Sequence, residues 1–94
     1  MCGILFSNIR NLKEDKFAKA LKIMNHRGPD YNRISYFKGT YMGHNRLSII
    51  DLNPRSHQPF TSHGLKLIFN GEIYNYKELI KEYGLQVSTK SDTE

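Results

Sequence analysis

With 94 residues, the chain is long enough for one small domain, which buries only roughly 60% of the surface that its unfolded chain exposes. The net charge of +5 comes from 14 lysines and arginines that are scattered along the sequence, and no basic cluster typical of nucleic-acid binding is present. No apolar run approaches the roughly 20 residues that cross a bilayer, and no signal-peptide pattern opens the chain. The one cysteine excludes an internal disulfide. We therefore expect a cytoplasmic protein without nucleic-acid or membrane partners.

Apolar periodicity and turn residues predict a mixture of strands and helices. In chain order, the predicted elements are a strand over 2–9, a helix over 13–25, strands over 33–37 and 41–50, a loop over 51–64 and a strand over 65–69. A helix capped by Asn75 and running to about Tyr83, with Gly84 after it, and a short strand over 85–87 follow. The run 65–69 is almost continuously apolar, which predicts burial on both faces. The order of elements indicates an α+β fold, with a layered α/β fold as the alternative.

The last four residues, SDTE, place Ser91 and Glu94 three positions apart, as in a capping box that opens a helix. Because no helical sequence follows, we expect the polypeptide to stop in the middle of a fold. A chance match to this common pattern is the alternative.

The position of Cys2 directly after the initiator methionine predicts a nucleophile. Methionine is trimmed when the second residue is small, and trimming would give Cys2 a free α-amine, which is partly unprotonated near neutral pH. That amine can act as the base that activates the thiol of the same residue. The alternative is a cysteine that serves as a small buried apolar residue.

Asn70 and Gly71 follow the apolar run 65–69 and are candidates for binding a tetrahedral oxyanion. The side chain of Asn70 supplies N–H donors, and Gly71 lets its backbone N–H approach a ligand closely. Asn-Gly is also a favoured hairpin turn. The following sequence, EIYNYKEL, indicates a helix and argues against a hairpin.

Two charged residues match the two charged groups of a free amino acid. Arg46 lies in a predicted apolar strand, where a charge needs a partner, and a guanidinium can bind a carboxylate in bidentate fashion. Asp92 can hold an ammonium group. The alternatives are a salt bridge from Arg46 to Asp51 or Asp30, and a capping role for Asp92.

One further motif has a structural explanation, and metal- and phosphate-binding motifs are missing from the sequence. The stretch HRGPD, residues 26–30, is explained by the end of a helix and a turn. The four histidines lack metal-ligand spacing, and the sequence contains no glycine-rich phosphate-binding motif. The residues themselves therefore predict neither a metal nor a nucleotide site.

Five stretches in this order resemble the start of the class II glutamine amidotransferase domain of the glutamine-hydrolysing asparagine synthetase type: MCGI, HRGPD, GHNRLSIIDL followed by QP, FNGEIYNY and SDTE. The resemblance spans about residues 2–94. It implies that Cys2 is the nucleophile and forms a glutamyl thioester, and that Asn70 and Gly71 form the oxyanion hole. It also implies a set of glutamine-binding residues: Arg46 for the α-carboxylate, Asp92 for the α-ammonium, Leu47, Ile49 and Ile50 through their backbone, Glu72, and again Asn70 and Gly71.

The fold implied by the resemblance is the N-terminal part of a four-layer αββα sandwich, the N-terminal nucleophile hydrolase fold, in truncated form. The implied reaction is hydrolysis of the glutamine amide, which supplies ammonia for asparagine synthesis from aspartate and ATP by a ligase. A family domain is about twice this length, so residues 1–94 are expected to be a partial type 2 amidotransferase domain without a synthetase domain.

Cofactors and partners follow from the same resemblance. ATP and magnesium would belong to the synthetase domain, so no cofactor is expected in this segment. The expected partners are glutamine and a synthetase domain or chain. The competing expectation is a truncated, inactive fragment, or a subunit that needs another chain to complete the fold. A small basic binding module is disfavoured because the lysines are scattered.

Overall fold

The computed structural model describes all 94 residues and contains five strands and two α-helices. The elements are β1 (Gly3–Ser7), α1 (Glu14–Ile23), β2 (Tyr31–Phe37), β3 (Thr40–Arg46), β4 (Phe60–Ser62), β5 (Leu65–Leu67) and α2 (Tyr76–Tyr83), with short 3-10 turns at Asn25–Arg27 and Pro54–Ser56. All strand pairs are antiparallel. The predicted α+β class is therefore confirmed. No helix here has the length and apolar character that crossing a membrane requires.

The main sheet has the order β1-β3-β2, so β3 lies in its centre. Successive side chains of a strand point to opposite faces. On β3, Asn45 faces α1, since its side-chain amide donates a 2.8 Å hydrogen bond to the carbonyl of Leu21. Its neighbours His44 and Arg46 face the other way and line a cavity. The centre of the sheet thus supplies the helix contact from one face and the site from the other.

Helix α1 packs on the first face through the side chains that repeat at helical spacing. Phe17 and Leu21, four residues apart, are the only buried hydrophobic side chains, each 3% exposed. The ring of Phe17 stacks on Tyr41 with 5.2 Å between centroids. On the opposite face, the ammonium of Lys66 in β5 donates to the hydroxyl of Ser35 in β2 at 3.0 Å. Helix, sheet and hairpin therefore follow one another as layers.

One predicted strand ends earlier than expected and another is absent, because other groups take their backbone hydrogen bonds. The strand predicted over 41–50 ends at Arg46, since the next two N–H groups are donated to side chains, Leu47 to the Cys2 sulfur and Ser48 to the Asp30 carboxylate. The segment 85–87 is not a strand. The N–H of Leu85 instead bonds to the carbonyl of Ile80, which closes the end of α2.

The region from 51 to 69 also differs from prediction. The predicted loop contains β4, which pairs with β5 as an isolated hairpin. Burial of the 65–69 run on both faces is wrong: Leu65 is 73% exposed and Leu67 43% exposed, because a two-stranded sheet leaves one face uncovered.

The helix boundaries were predicted more accurately than the strand boundaries. Helix α1 is shorter than predicted, and the chain continues as a 3-10 turn. Helix α2 ends as predicted at Gly84, whose φ of +60° is the left-handed conformation that favours glycine. The side chain of Asn75 makes no capping hydrogen bond, although the helix begins after it. The capping box of Ser91 and Glu94 is not formed, because the Glu94 carboxylate accepts the N–H groups of Ser88 and Thr89.

Candidate active site

A cavity of about 290 Å³ opens between the main sheet and the loops that follow it. This volume is near the lower end of the roughly 300–1,000 Å³ typical of small-molecule sites. Its walls come from the start of the chain, the end of β3, the loop after β3, the segment before α2 and the last residues. All nine residues singled out in the sequence line it: Cys2, Arg46, Leu47, Ile49, Ile50, Asn70, Gly71, Glu72 and Asp92.

Cys2 is held beside Arg46 by the pairing of β1 with β3. The strands pair Gly3 with Asn45, so the next position in the antiparallel register brings Cys2 against Arg46. The half-buried Cys2 sulfur accepts the Leu47 N–H at 3.3 Å and lies 3.7 Å from the Leu47 carbonyl oxygen. The Cys2 carbonyl accepts the Nε–H of Arg27 at 3.1 Å. The thiol is therefore fixed at the cavity wall by main-chain contacts.

The guanidinium of Arg46 is buried without a carboxylate partner. The residue is 5% exposed, and its terminal nitrogens donate to three carbonyl oxygens, those of Ile50 (3.2 Å), Asn53 (3.4 Å) and Asp51. The predicted alternative, a salt bridge to Asp51 or Asp30, is wrong, since neither carboxylate reaches Arg46. Its Nε–H makes no hydrogen bond within the protein. A buried cation with spare donors and no counter-charge is the arrangement that an anionic ligand would complete.

The opposite wall brings the segment before α2 against the last residues of the chain. One oxygen of Asp92 accepts the N–H of Ile73 at 2.9 Å, which leaves its other oxygen free. The side chains of Asn70 and Glu72 make no hydrogen bonds within the protein and remain available to a ligand. Gly71 lies over the ring of Phe69, and a Cβ at this position would come within 2.8 Å of a ring carbon.

Gln58 also shapes the cavity, although the sequence analysis did not single it out. The side chain is 6% exposed; its oxygen accepts the N–H of Phe69 and its nitrogen donates to the Thr93 hydroxyl at 3.2 Å. It therefore joins the two segments of the wall that carries Asn70 and Asp92. Only its position in the stretch QP, shared with the family resemblance, pointed to it.

His44 is the second residue that the sequence analysis missed. It is 1% exposed, lies on the same strand face as Arg46, and neither ring nitrogen makes a hydrogen bond. Burial, followed by the positive charge of Arg46 and then that of His57, lowers the pKa of His44 from 6.5 to about 4. The backbone of Phe69 opposes this pKa shift but lies outside hydrogen-bond geometry. His44 could have been indicated by its position two residues before Arg46, because residues two apart on a strand point to the same face.

The family comparison covers this whole arrangement. A family model for the glutamine amidotransferase domain matches residues 1–94. The chain belongs to this family. The predicted recognition is thereby confirmed, and the cavity just described is the candidate active site of a glutamine amidotransferase domain.

Individual relatives of this amidotransferase chain are glutamine-hydrolyzing asparagine synthetases. It is 34% identical over 103 residues to asparagine synthetase B of Escherichia coli (strain K12), 35% over 104 residues to asparagine synthetase 2 of Oryza sativa subsp. japonica, and 38% over 104 residues to the asparagine synthetase of Sandersonia aurantiaca. Each match covers 100% of this chain but only 18%, 17% and 19% of the relative, so the chain spans about a fifth of their length. No solved structure matches the chain.

The low pKa of His44 predicts a pH dependence of the stability of this amidotransferase chain. Between pH 6.5 and about 4, the unfolded chain binds a proton at His44 that the folded chain does not, so the free energy of unfolding falls as the pH drops through this window. We expect a loss on the order of 3 kcal/mol from this residue. Urea unfolding at several pH values should show it in the wild type and show a flatter profile in His44→Gln.

The matched control is His63→Gln, at an exposed histidine in the turn between β4 and β5. This variant should keep the wild-type slope. His57, whose pKa is lowered by burial and by Arg46, contributes a slope of the same sign in all three proteins. Parallel profiles for the wild type and His44→Gln would contradict the prediction.

Proposed function

We propose that this amidotransferase domain hydrolyses the side-chain amide of glutamine through a thioester on Cys2 and supplies the ammonia for amide transfer. The observation that carries the proposal is the buried guanidinium of Arg46, which lacks a carboxylate partner and lines the same cavity as the Cys2 thiol. Free glutamine offers the missing carboxylate at one end and an electrophilic amide carbon at the other.

The proposed roles divide the cavity into two ends. Arg46 binds the α-carboxylate, and the free oxygen of Asp92 binds the α-ammonium. Backbone groups of Leu47, Ile49 and Ile50, together with Glu72, would line the path between the charged end and the thiol. At the reacting end, the side-chain amide of Asn70 and the backbone N–H of Gly71 donate hydrogen bonds to the oxyanion.

The proposed reaction uses only groups that are close to Cys2. Once Met1, which lines the cavity, has been removed, the free α-amine of Cys2 takes the thiol proton. The thiolate attacks the amide carbon, the C–N bond breaks, and ammonia leaves with the proton held by the amine. Water then attacks the thioester carbon, the C–S bond breaks, and the thiol is restored with release of glutamate.

The finer features of the fold and the partners are part of the same proposal. The succession of α1, the main sheet and the β4–β5 hairpin supports the N-terminal part of an αββα sandwich. The relatives are named asparagine synthetases, which supports a synthetase domain or chain as partner and aspartate as the acceptor. ATP and magnesium would then bind in that partner, and a reducing cytoplasm would keep Cys2 as a thiol.

A second candidate is a partial domain that is active only with further polypeptide. It is favoured by the small core, since Phe17 and Leu21 are the only buried hydrophobic side chains. Around the site, Ile49 is 65% exposed and Ile4, on the Cys2 face of β1, is 40% exposed. Another segment that covered these apolar side chains would stabilise the domain, because burial of apolar surface is favourable.

Intact mass after incubation with an electrophilic glutamine analogue, a diazoketone, tests the proposal. We expect loss of Met1, one adduct on Cys2, and protection by L-glutamine but not by D-glutamine. The reason is that Arg46 and Asp92 can bind the α-carboxylate and the α-ammonium together in only one of the two enantiomers. Labelling no faster than that of an unfolded thiol, and indifferent to L-glutamine, would contradict activity of these 94 residues alone and favour the second candidate.

A further inference from the structure

The carboxylate of Asp51 joins its own loop to the segment of Lys90, although Asp51 does not line the cavity. One oxygen accepts the N–H of Lys90 at 2.8 Å and lies 3.4 Å from the Nε of Arg55, and the other accepts the N–H of Asn53 at 3.2 Å. The side chain is only 6% exposed. The Lys90 N–H, and after it the Asn53 N–H and the positive charge of Arg55, hold the pKa of Asp51 well below its usual range. The carboxylate is therefore charged and fully engaged at neutral pH.

The main chain of the same residue contacts Arg46. The Asp51 carbonyl accepts from a terminal nitrogen of Arg46, next to the carbonyls of Ile50 and Asn53. Asp51 has a φ of +44°, in the left-handed region that few residues other than glycine, asparagine and aspartate adopt readily. The side-chain bond to the Asn53 N–H stabilises this turn, in which three carbonyls converge on one guanidinium.

Lys90 lies two residues before Asp92. Its N–H bonds to Asp51, and its carbonyl accepts the hydroxyl of Tyr76 in α2 at 3.2 Å. Asp92 itself is fixed only through the Ile73 N–H, and its neighbour Thr93 through Gln58. The bond from Lys90 to Asp51 therefore ties the segment that carries Asp92 directly to the turn that holds Arg46.

We propose that Asp51 is a positioning residue for glutamine binding, which sets the separation between Arg46 and Asp92 by bonding to the turn around one and to the segment of the other. The inference rests on the proposed function, because it assigns these two residues to the α-carboxylate and the α-ammonium. A charged anchor between them would keep the two side chains at the separation that the carboxylate and ammonium groups of a zwitterionic ligand require.

The test compares Asp51→Asn with Arg55→Met in the full chain. Asparagine tolerates the positive φ, so the first variant removes the charge and an acceptor without straining the turn. The second removes only the exposed, four-residue-spaced ion pair, which contributes little, and keeps the bonds to Lys90 and Asn53. Two readouts are taken: amide hydrogen exchange over residues 88–93, and the kinetics of Cys2 labelling by the glutamine analogue and by iodoacetamide. Iodoacetamide has neither the carboxylate nor the ammonium group of an amino acid.

In Asp51→Asn we expect about tenfold faster exchange at Lys90 and about tenfold weaker binding of the analogue, with the limiting labelling rate and the iodoacetamide rate within about twofold of wild type. Arg55→Met should match the wild type in both readouts. Unchanged exchange at Lys90 would overturn the tether, whether or not the wild type reacts with the analogue. Faster exchange with unchanged analogue binding, or an Arg55→Met variant that behaves like Asp51→Asn, would overturn the positioning role. If the analogue does not label the wild type, the proposed function is contradicted. The exchange rate at Lys90 then still shows whether Asp51 holds this segment.

Discussion

Replacing Cys2 with serine is expected to lower the rate of glutamine hydrolysis by at least about 10³-fold while the domain stays folded. A serine hydroxyl is a much weaker nucleophile than a thiol under the same base, because it holds its proton far more tightly. Serine is also small, so Met1 should still be removed and the α-amine kept. The variant therefore changes the nucleophile alone.

The fold should tolerate this change because the hydrogen bonds of the Cys2 sulfur are to the N–H and the carbonyl of Leu47. A hydroxyl can accept and donate in the same place, so we expect the free energy of unfolding to change by less than about 1 kcal/mol. Ammonia release from glutamine measures the first effect, and urea unfolding measures the second. If the variant keeps more than about a tenth of the wild-type rate, a step that depends on the thiol cannot be the chemistry of this site.

Local features were predicted correctly where a single segment decides them. The three- and four-residue spacing around Phe17 and Leu21 predicted α1, and Gly84 predicted the end of α2. The end of β3 could not be predicted in this way. It depends on acceptors 45 and 18 residues away in the sequence, the Cys2 sulfur and the Asp30 carboxylate.

The candidate site shows the same division. The residue types that chemistry needs at the two ends, a thiol, an amide, a cation and a carboxylate, could be recognised in the sequence, and all line one cavity. Their chemical roles stay predictions. His44 and Gln58 were missed because their importance comes from burial and from bonds between distant segments. The ion pairs proposed for Arg46 were wrong because its charge meets main-chain carbonyls, which have no sequence signature.

Replacing Gly28 with alanine is expected to destabilise the domain by about 3 kcal/mol or more, which is a large part of the roughly 5–14 kcal/mol that stabilises a domain of this length. Gly28 has a φ of −154°, outside the left-handed region that favours glycine, so backbone conformation is not the reason. The reason is steric: a Cβ would overlap the carbonyl of Asn45 and lie 2.7 Å from the carbonyl carbon of Arg46. Both are main-chain atoms of the central strand, which cannot move aside as a flexible side chain would.

Gly39→Ala is the matched control, since that glycine has a φ of +79° and a Cβ there would meet no atom within 4 Å, and the change should cost only about 1–2 kcal/mol. Urea unfolding of the two variants separates close packing from backbone conformation. The close contact at Gly28 also affects the site. In the same turn, two residues later, the N–H of Asp30 bonds to the carbonyl of Arg46 at 3.0 Å. Loss of this close contact should therefore reduce labelling of Cys2 by the glutamine analogue along with stability. Equal stability of the two variants would show that the turn can withdraw from β3 without loss of the fold.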